Sequence, residues 1–117
     1  ITAGKNLTID GSGAPGLSIS GNNASRIFFL DANVVTSTSL TIANVALTNA
    51  YTNQRGAAIL TADEAQLTVQ NVTFRNNVAD RGGGAIYANW NTDVFVSGSR
   101  FENNVAIAGN DERGAGG

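Results

Sequence analysis

Three stretches of the chain fall into register at one constant spacing of ~27 residues. Leu40-Thr-Ile-Ala-Asn-Val-Ala-Leu-Thr-Asn49 aligns with Leu67-Thr-Val-Gln-Asn-Val-Thr-Phe-Arg-Asn76, and that with Val94-Phe-Val-Ser-Gly-Ser-Arg-Phe-Glu-Asn103. The same shift carries Gly56-Ala-Ala-Ile59 onto Gly83-Gly-Ala-Ile86. A fixed period built from short β-rich pieces and broken by Gly and Asn is the mark of a solenoid, in which each repeat buries its apolar face only by stacking on the next.

Local pattern agrees with the period. No segment holds a 3.6-residue apolar repeat over helical length, whereas alternation recurs throughout. Leu7-Thr-Ile9, Leu17-Ser-Ile19, Ile27-Phe-Phe-Leu30, Leu40-Thr-Ile42, Leu67-Thr-Val69 and Val94-Phe-Val96 read as strands with one buried face. Each runs into a turn residue: Asp10-Gly11, Ser20-Gly21, Asp31, Asn44, Asn71 and Gly98. Written out for 82–104, one repeat reads as three strands and three bends, a coil of triangular section. An antiparallel sandwich is the competing reading, but hairpins do not demand equal repeats with residues matched column by column.

The register defines columns. Leu40, Leu67 and Val94 point inward, as do Ile42, Val69 and Val96, and then Leu47, Phe74 and Phe101. Asn49, Asn76 and Asn103 form a polar column at a bend, read as a ladder of amides hydrogen-bonded up and down the stack. Asn also tolerates the left-handed backbone such a bend needs. On the outer face Thr48, Arg75 and Glu102 share a column, which predicts an Arg75–Glu102 pair between coils. Gln54-Arg55-Gly56, Asp80-Arg81-Gly82 and Glu112-Arg113-Gly114 each close a coil with Arg-Gly, and Ile107–Glu112 reads as a loop insertion. The domain is thus one β-helix over 1–117, with irregular first coils at 1–39 and regular repeats at 40–117.

Composition narrows the chemistry. The chain has 7 Lys+Arg against 9 Asp+Glu, so it offers no basic face for nucleic acid. It has no Cys and no His, which removes thiolate sites, the commonest general base and the commonest transition-metal ligand. No apolar run approaches the ~20 residues of a membrane span. Ile1 in place of Met reads as the product of processing or of a chosen boundary.

Gly83-Gly-Ala-Ile86, Phe101-Glu-Asn-Asn104 and Phe74-Arg-Asn-Asn77 resemble the Gly-Gly-Ala-Ile and Phe-x-x-Asn tetrapeptides of polymorphic outer-membrane protein repeats. Gly56-Ala-Ala-Ile59 departs from that pattern at its second Gly, and Leu47-Thr-Asn-Ala50 at its Phe. Leu7-Thr-Ile-Asp-Gly11 followed by Leu17-Ser-Ile-Ser-Gly21 is similar to large secreted β-helix proteins with pectate-lyase-like folds. The resemblance covers the regular repeats at 40–117 well and the irregular stretch before them loosely. It implies a right-handed, single-stranded parallel β-helix of about four coils, surface-exposed or secreted, often an adhesin segment. It implies no catalytic activity.

No acidic column forms for polysaccharide cleavage: Asp63 falls over Trp90, Glu64 over Asn91 and Asp93 over Gln66. The expectation is therefore a non-enzyme with no cofactor and no metal. Tyr87 and Trp90 lie near one loop and form a candidate surface for stacking on a sugar ring, the plainer alternative being that Trp90 covers a neighbouring coil. The predicted role is an extracellular structural or adhesive module, whose open β-helix ends read either as cut faces of a longer β-helix or as the surfaces through which copies self-associate head to tail into a filament. A cell-surface glycan or protein is the further partner, with no nucleic acid and no membrane insertion. A carbohydrate-binding or carbohydrate-processing domain is the alternative.

Overall fold

The computed structural model describes residues 1–33 and 35–107. The chain winds through the same four faces in successive laps, and every pairing between its strands is parallel. The first lap contributes β1 (Asn6–Asp10), β2 (Ser18–Ser20) and β3 (Phe28–Leu30). The second contributes β4 (Ser39–Ala43), β5 (Ala46–Thr48), β6 (Tyr51–Thr52) and β7 (Ile59–Thr61). The third repeats it as β8 (Gln66–Gln70), β9 (Thr73–Arg75), β10 (Val78–Ala79) and β11 (Ile86–Tyr87). The fourth begins with β12 (Asp93–Ser97), β13 (Arg100–Glu102) and β14 (Val105–Ala106). Stacked face by face these give sheets β1-β4-β8-β12, β2-β5-β9-β13, β6-β10-β14 and β3-β7-β11. The molecule is a parallel β-helix.

Register is what the repeat predicts. Leu40 pairs with Leu67 and Leu67 with Val94; Leu47 pairs with Phe74 and Phe74 with Phe101. Leu40, Ile42, Leu47, Ile59, Leu67, Val69 and Phe74 are all fully buried. Each such side chain contributes roughly 1.5–3 kcal/mol by leaving water. Phe74 and Phe101 lie flat on one another, ring centroids 4.7 Å apart and 7° from parallel. Ser39 pairs with Gln66 and Gln66 with Asp93, the same lap of 27 residues that separates the bonded Asn44 and Asn71. Asn6 pairs instead with Ser39, a lap of 33 residues. The extra length of the first lap is divided between the β1–β2 connection and the less regular 31–38 connection, both longer than their counterparts in the second lap, while the path from β2 to β3 is shorter. Within 31–38 Asn33 and Thr36 form a small bridge.

The expected triangular coil gives way to one with four strands and four corners. The unforeseen strand is the two-residue β6, with β10 and β14 above it. Every corner of a regular lap turns on a left-handed residue: Asn44, Asn71 and Gly98 at the first; Asn49, Asn76 and Asn103 at the second; Gly56 and Gly83 at the third; Glu64 and Asn91 at the fourth. Asn and Gly are the residues that take this conformation at least cost. At Gly83 the requirement is absolute, since a Cβ there would sit 2.2 Å from the Ile86 carbonyl oxygen.

The amide ladder is present but not where it was expected. Asn49, Asn76 and Asn103 serve through their backbone conformation. The bonds between laps run through their neighbours Asn77 and Asn104. The Asn77 Oδ1 accepts from the Ala50 N–H (3.0 Å), and its Nδ2 donates to the Leu47 carbonyl (3.1 Å) and to Asn104 Oδ1 (2.9 Å). Asn104 repeats the arrangement one lap on, accepting from the Asn77 N–H and donating to the Phe74 carbonyl. Phe-x-x-Asn is therefore one device: the Phe fills the core, and the Asn satisfies backbone groups at the corner of the preceding lap, which would be costly to bury unpaired. A second ladder climbs the first corner, from Asn71 Nδ2 to Asn44 Oδ1 and from Asn44 Nδ2 to Asp10 Oδ1, 2.8 Å each. The Asn44 bond, with further help from Ser12, holds the Asp10 carboxyl below its ordinary pKa.

One smaller expectation changes, and the Arg-Gly repeat proves to be offset between laps. Glu102 pairs with Arg100 on its own strand, where residues two apart share a face, although Arg75 does lie in register beneath it. The Arg-Gly pairs do not stack: Arg81 N–H bonds to the Gln54 carbonyl and Gly56 N–H to the Gly82 carbonyl, so the two copies stand one residue out of step. The Glu112-Arg113-Gly114 copy, and all of the inserted loop except Ile107, lie outside the described residues.

Candidate functional site

Alternation along the short β3, β7 and β11 strands sends Phe28, Ile59 and Ile86 inward and their successors outward. The outward column is Phe29, Leu60 and Tyr87, paired residue on residue. Three apolar or aromatic side chains at the ~4.8 Å interstrand spacing make a strip about 10 Å long on the outside of the molecule. Phe29 is 43% exposed, and Leu60 and Tyr87 are half-buried.

Three arginines border this strip, each from the turn that leads into one of its strands. Arg26 precedes β3, Arg55 precedes β7 and Arg81 precedes β11. Arg26 is fastened to the next lap, its Nε donating to the Gly56 carbonyl (2.9 Å) and its Nη2 to the Arg55 carbonyl (2.8 Å). Burial there lowers its pKa from the ordinary arginine value. The Arg55 guanidinium stands over the Tyr87 ring, 5.1 Å from its centroid, a cation–π contact. The Arg81 side chain is exposed. On the far side Asn89 donates its N–H to Thr61 Oγ1 (3.1 Å), and Thr61 shares a 3.0 Å hydrogen bond with Thr92. Together these residues enclose a cleft of about 370 Å³.

Of the two residues expected at a contact surface, the structure brings Tyr87 into this cleft. Trp90 lies beyond it, 70% exposed at the fourth corner, so it does not cover a neighbouring coil. The Leu60–Tyr87 pairing is implicit in the regular register. Phe29 and Arg26 carry no such signal, because the first lap sets β3 further from β7 than a regular lap would, as the Phe29–Leu60 pairing shows.

A larger groove of about 490 Å³ follows the first corner past Pro15, Asn44 and Asn71. Its amides are already bonded to one another in the ladder. Among the described residues no three His, Cys, Asp or Glu side chains gather to hold a metal ion, and no helix is long and apolar enough to cross a membrane. The adjacent acids do not converge: Glu64 accepts from Asn91 Nδ2 (2.7 Å), the pairing that the register predicts. Asp63 keeps one oxygen without a hydrogen-bond partner.

Residues 71–89 match the model of the Chlamydia polymorphic membrane protein repeat. Members of that family are outer-membrane or surface proteins. The matched segment runs from the first corner of the third lap to just past β11, and so contains both Phe74-Arg-Asn-Asn77 and Gly83-Gly-Ala-Ile86. No curated protein and no solved structure matches the chain.

Proposed function

We propose that the chain is a cell-surface β-helix module with a structural and adhesive role and no catalytic activity of its own. The observation that carries this reading is the use made of the family repeat. Its signature side chains are spent on winding: Phe74 in the core, Asn77 on the corner below, Gly83 at a left-handed turn. The outer faces are left for display, which suits a scaffold that holds contact residues away from a surface. Beads coated with the purified chain test this on cultured cells. Attachment above that of uncoated beads, competed by soluble chain, is expected; equal attachment contradicts an adhesive role.

End-to-end stacking is the finer form of the same proposal. The inward columns reach β12 and β13 with Val96 and Phe101 46% and 48% exposed. A further lap of the same geometry covers such a surface, and a second copy supplies one; a contact of this kind does not close on itself and builds a filament. Sedimentation velocity at rising concentration should show growing species, and a strictly monomeric chain rules the filament out.

A second reading, a carbohydrate-binding domain, draws support from the cleft bordered by the three arginines.

A further inference from the structure

We infer that the cleft over Phe29, Leu60 and Tyr87 binds an anionic saccharide, one bearing sulfate or carboxylate groups. The inference rests on the adhesive reading and names the chemistry of the partner.

Positive charge is placed unevenly on the molecule. The chain as a whole is net negative at −2, with 7 cationic side chains. Three of those, Arg26, Arg55 and Arg81, line this one cleft of about 370 Å³. Asp80, beside Arg81 in sequence, accepts a hydrogen bond from the Tyr51 hydroxyl (2.8 Å), on the neighbouring face. Guanidinium groups present forked donors that match the oxygens of sulfate and carboxylate. The floor beneath them is apolar and aromatic, the surface on which the C–H face of a sugar ring rests. Arg26, tied by backbone bonds, and Arg55, laid over Tyr87, are held in place before any ligand arrives. Preorganisation of this kind lowers the entropy lost on binding. Arg81 reaches solvent and closes the arginine border.

A neutral sugar would use the floor and leave the positive charge of the border unmatched. An anion without a sugar ring would do the reverse. The combination selects a ligand carrying both features, and the strip of about 10 Å suits a short stretch of a polymer chain.

Calorimetric titration of the purified chain tests this with three oligosaccharides of equal length: heparin-derived, oligogalacturonate and neutral cello-oligosaccharide. The first carries sulfate and carboxylate, the second carboxylate alone. Binding of either anionic probe, weakening as salt is added, is expected. Arg81→Ala should weaken it about ten- to hundredfold, the scale of a lost charge-assisted hydrogen bond. Tyr87→Leu should weaken it while the circular dichroism and urea midpoint stay near those of the parent. Arg75→Ala removes the same charge from the face of β9 and should leave binding within about twofold. Equal binding of the neutral probe, or undiminished binding by Arg81→Ala, overturns the inference, as does the absence of binding by both anionic probes. Bead attachment that survives such a result leaves the adhesive reading standing, so the two fail separately.

Discussion

Asn76 and Asn77 are neighbours with opposite duties. Asn76 supplies a left-handed backbone at φ 57° and an exposed side chain, while Asn77 is fully buried and acts through its amide. Replacing Asn76 by Gly keeps the corner and should change stability by no more than about 0.5 kcal/mol. Asn77→Ala strips partners from the buried Ala50 N–H and Leu47 carbonyl and should cost about 2–4 kcal/mol. Urea unfolding of the two variants checks the contrast, and equal losses contradict it. A pH effect arises at Tyr51. Its hydrogen bond to Asp80 raises its pKa above the ordinary 10.0, with burial and the Asp80 charge adding to the effect. The sign follows: this bond's contribution is fully present below pH 10.0 and is lost as pH rises through the higher folded value. Ultraviolet titration in a Tyr87→Phe background isolates Tyr51, and Asp80→Asn should bring its ionisation to lower pH. The sequence showed that an Asn column stands at this bend, because the period carries it. It did not show which of two adjacent Asn faces inward, since Asn recurs at both positions in the third and fourth laps and only the corner geometry separates them.

The elements are short, and their order comes from stacking more than from their own preference. A two-residue strand such as β10 has no alternation to read, and for that reason four faces per lap look like three in the sequence. The longer β4, β8 and β12 strands were legible because five residues suffice for an apolar-polar rhythm and their columns repeat with every lap. Strands between two neighbours should hold their amides hardest. Hydrogen exchange is expected to be slowest in β4 and β8 and faster in β1 and β12, each of which has one partner strand among the described residues. Uniform exchange across the four contradicts the stack. The corners set the limit on substitution. Gly83→Ala forces a side chain onto a φ of 63° and into the Ile86 carbonyl oxygen, and should cost about 2–4 kcal/mol by thermal or urea unfolding.

At the scale of the whole molecule the laps do two things at once. Their inward residues make a continuous core, and their outward residues assemble a surface that no single lap contains. Phe29, Leu60 and Tyr87 come from three laps, and Arg26, Arg55 and Arg81 accompany them. Tyr87 was singled out in the sequence as an aromatic near a loop, whereas the first-lap members were hidden by the longer 1–39 winding, whose register follows no fixed period. The account as a whole depends on parallel laps in that register. Because the chain has no cysteine, paired substitutions read it directly. Gln66 pairs with Asp93 and Gln70 with Ser97, all four exposed on one face. Adjacent strands lie ~4.8 Å apart, inside disulfide reach, while the diagonal Gln66–Ser97 separation exceeds ~10 Å. Mild oxidation should close the Gln66→Cys/Asp93→Cys and Gln70→Cys/Ser97→Cys pairs and leave Gln66→Cys/Ser97→Cys open. Closure of the diagonal pair with the other two open means antiparallel strands, and the β-helix is then wrong.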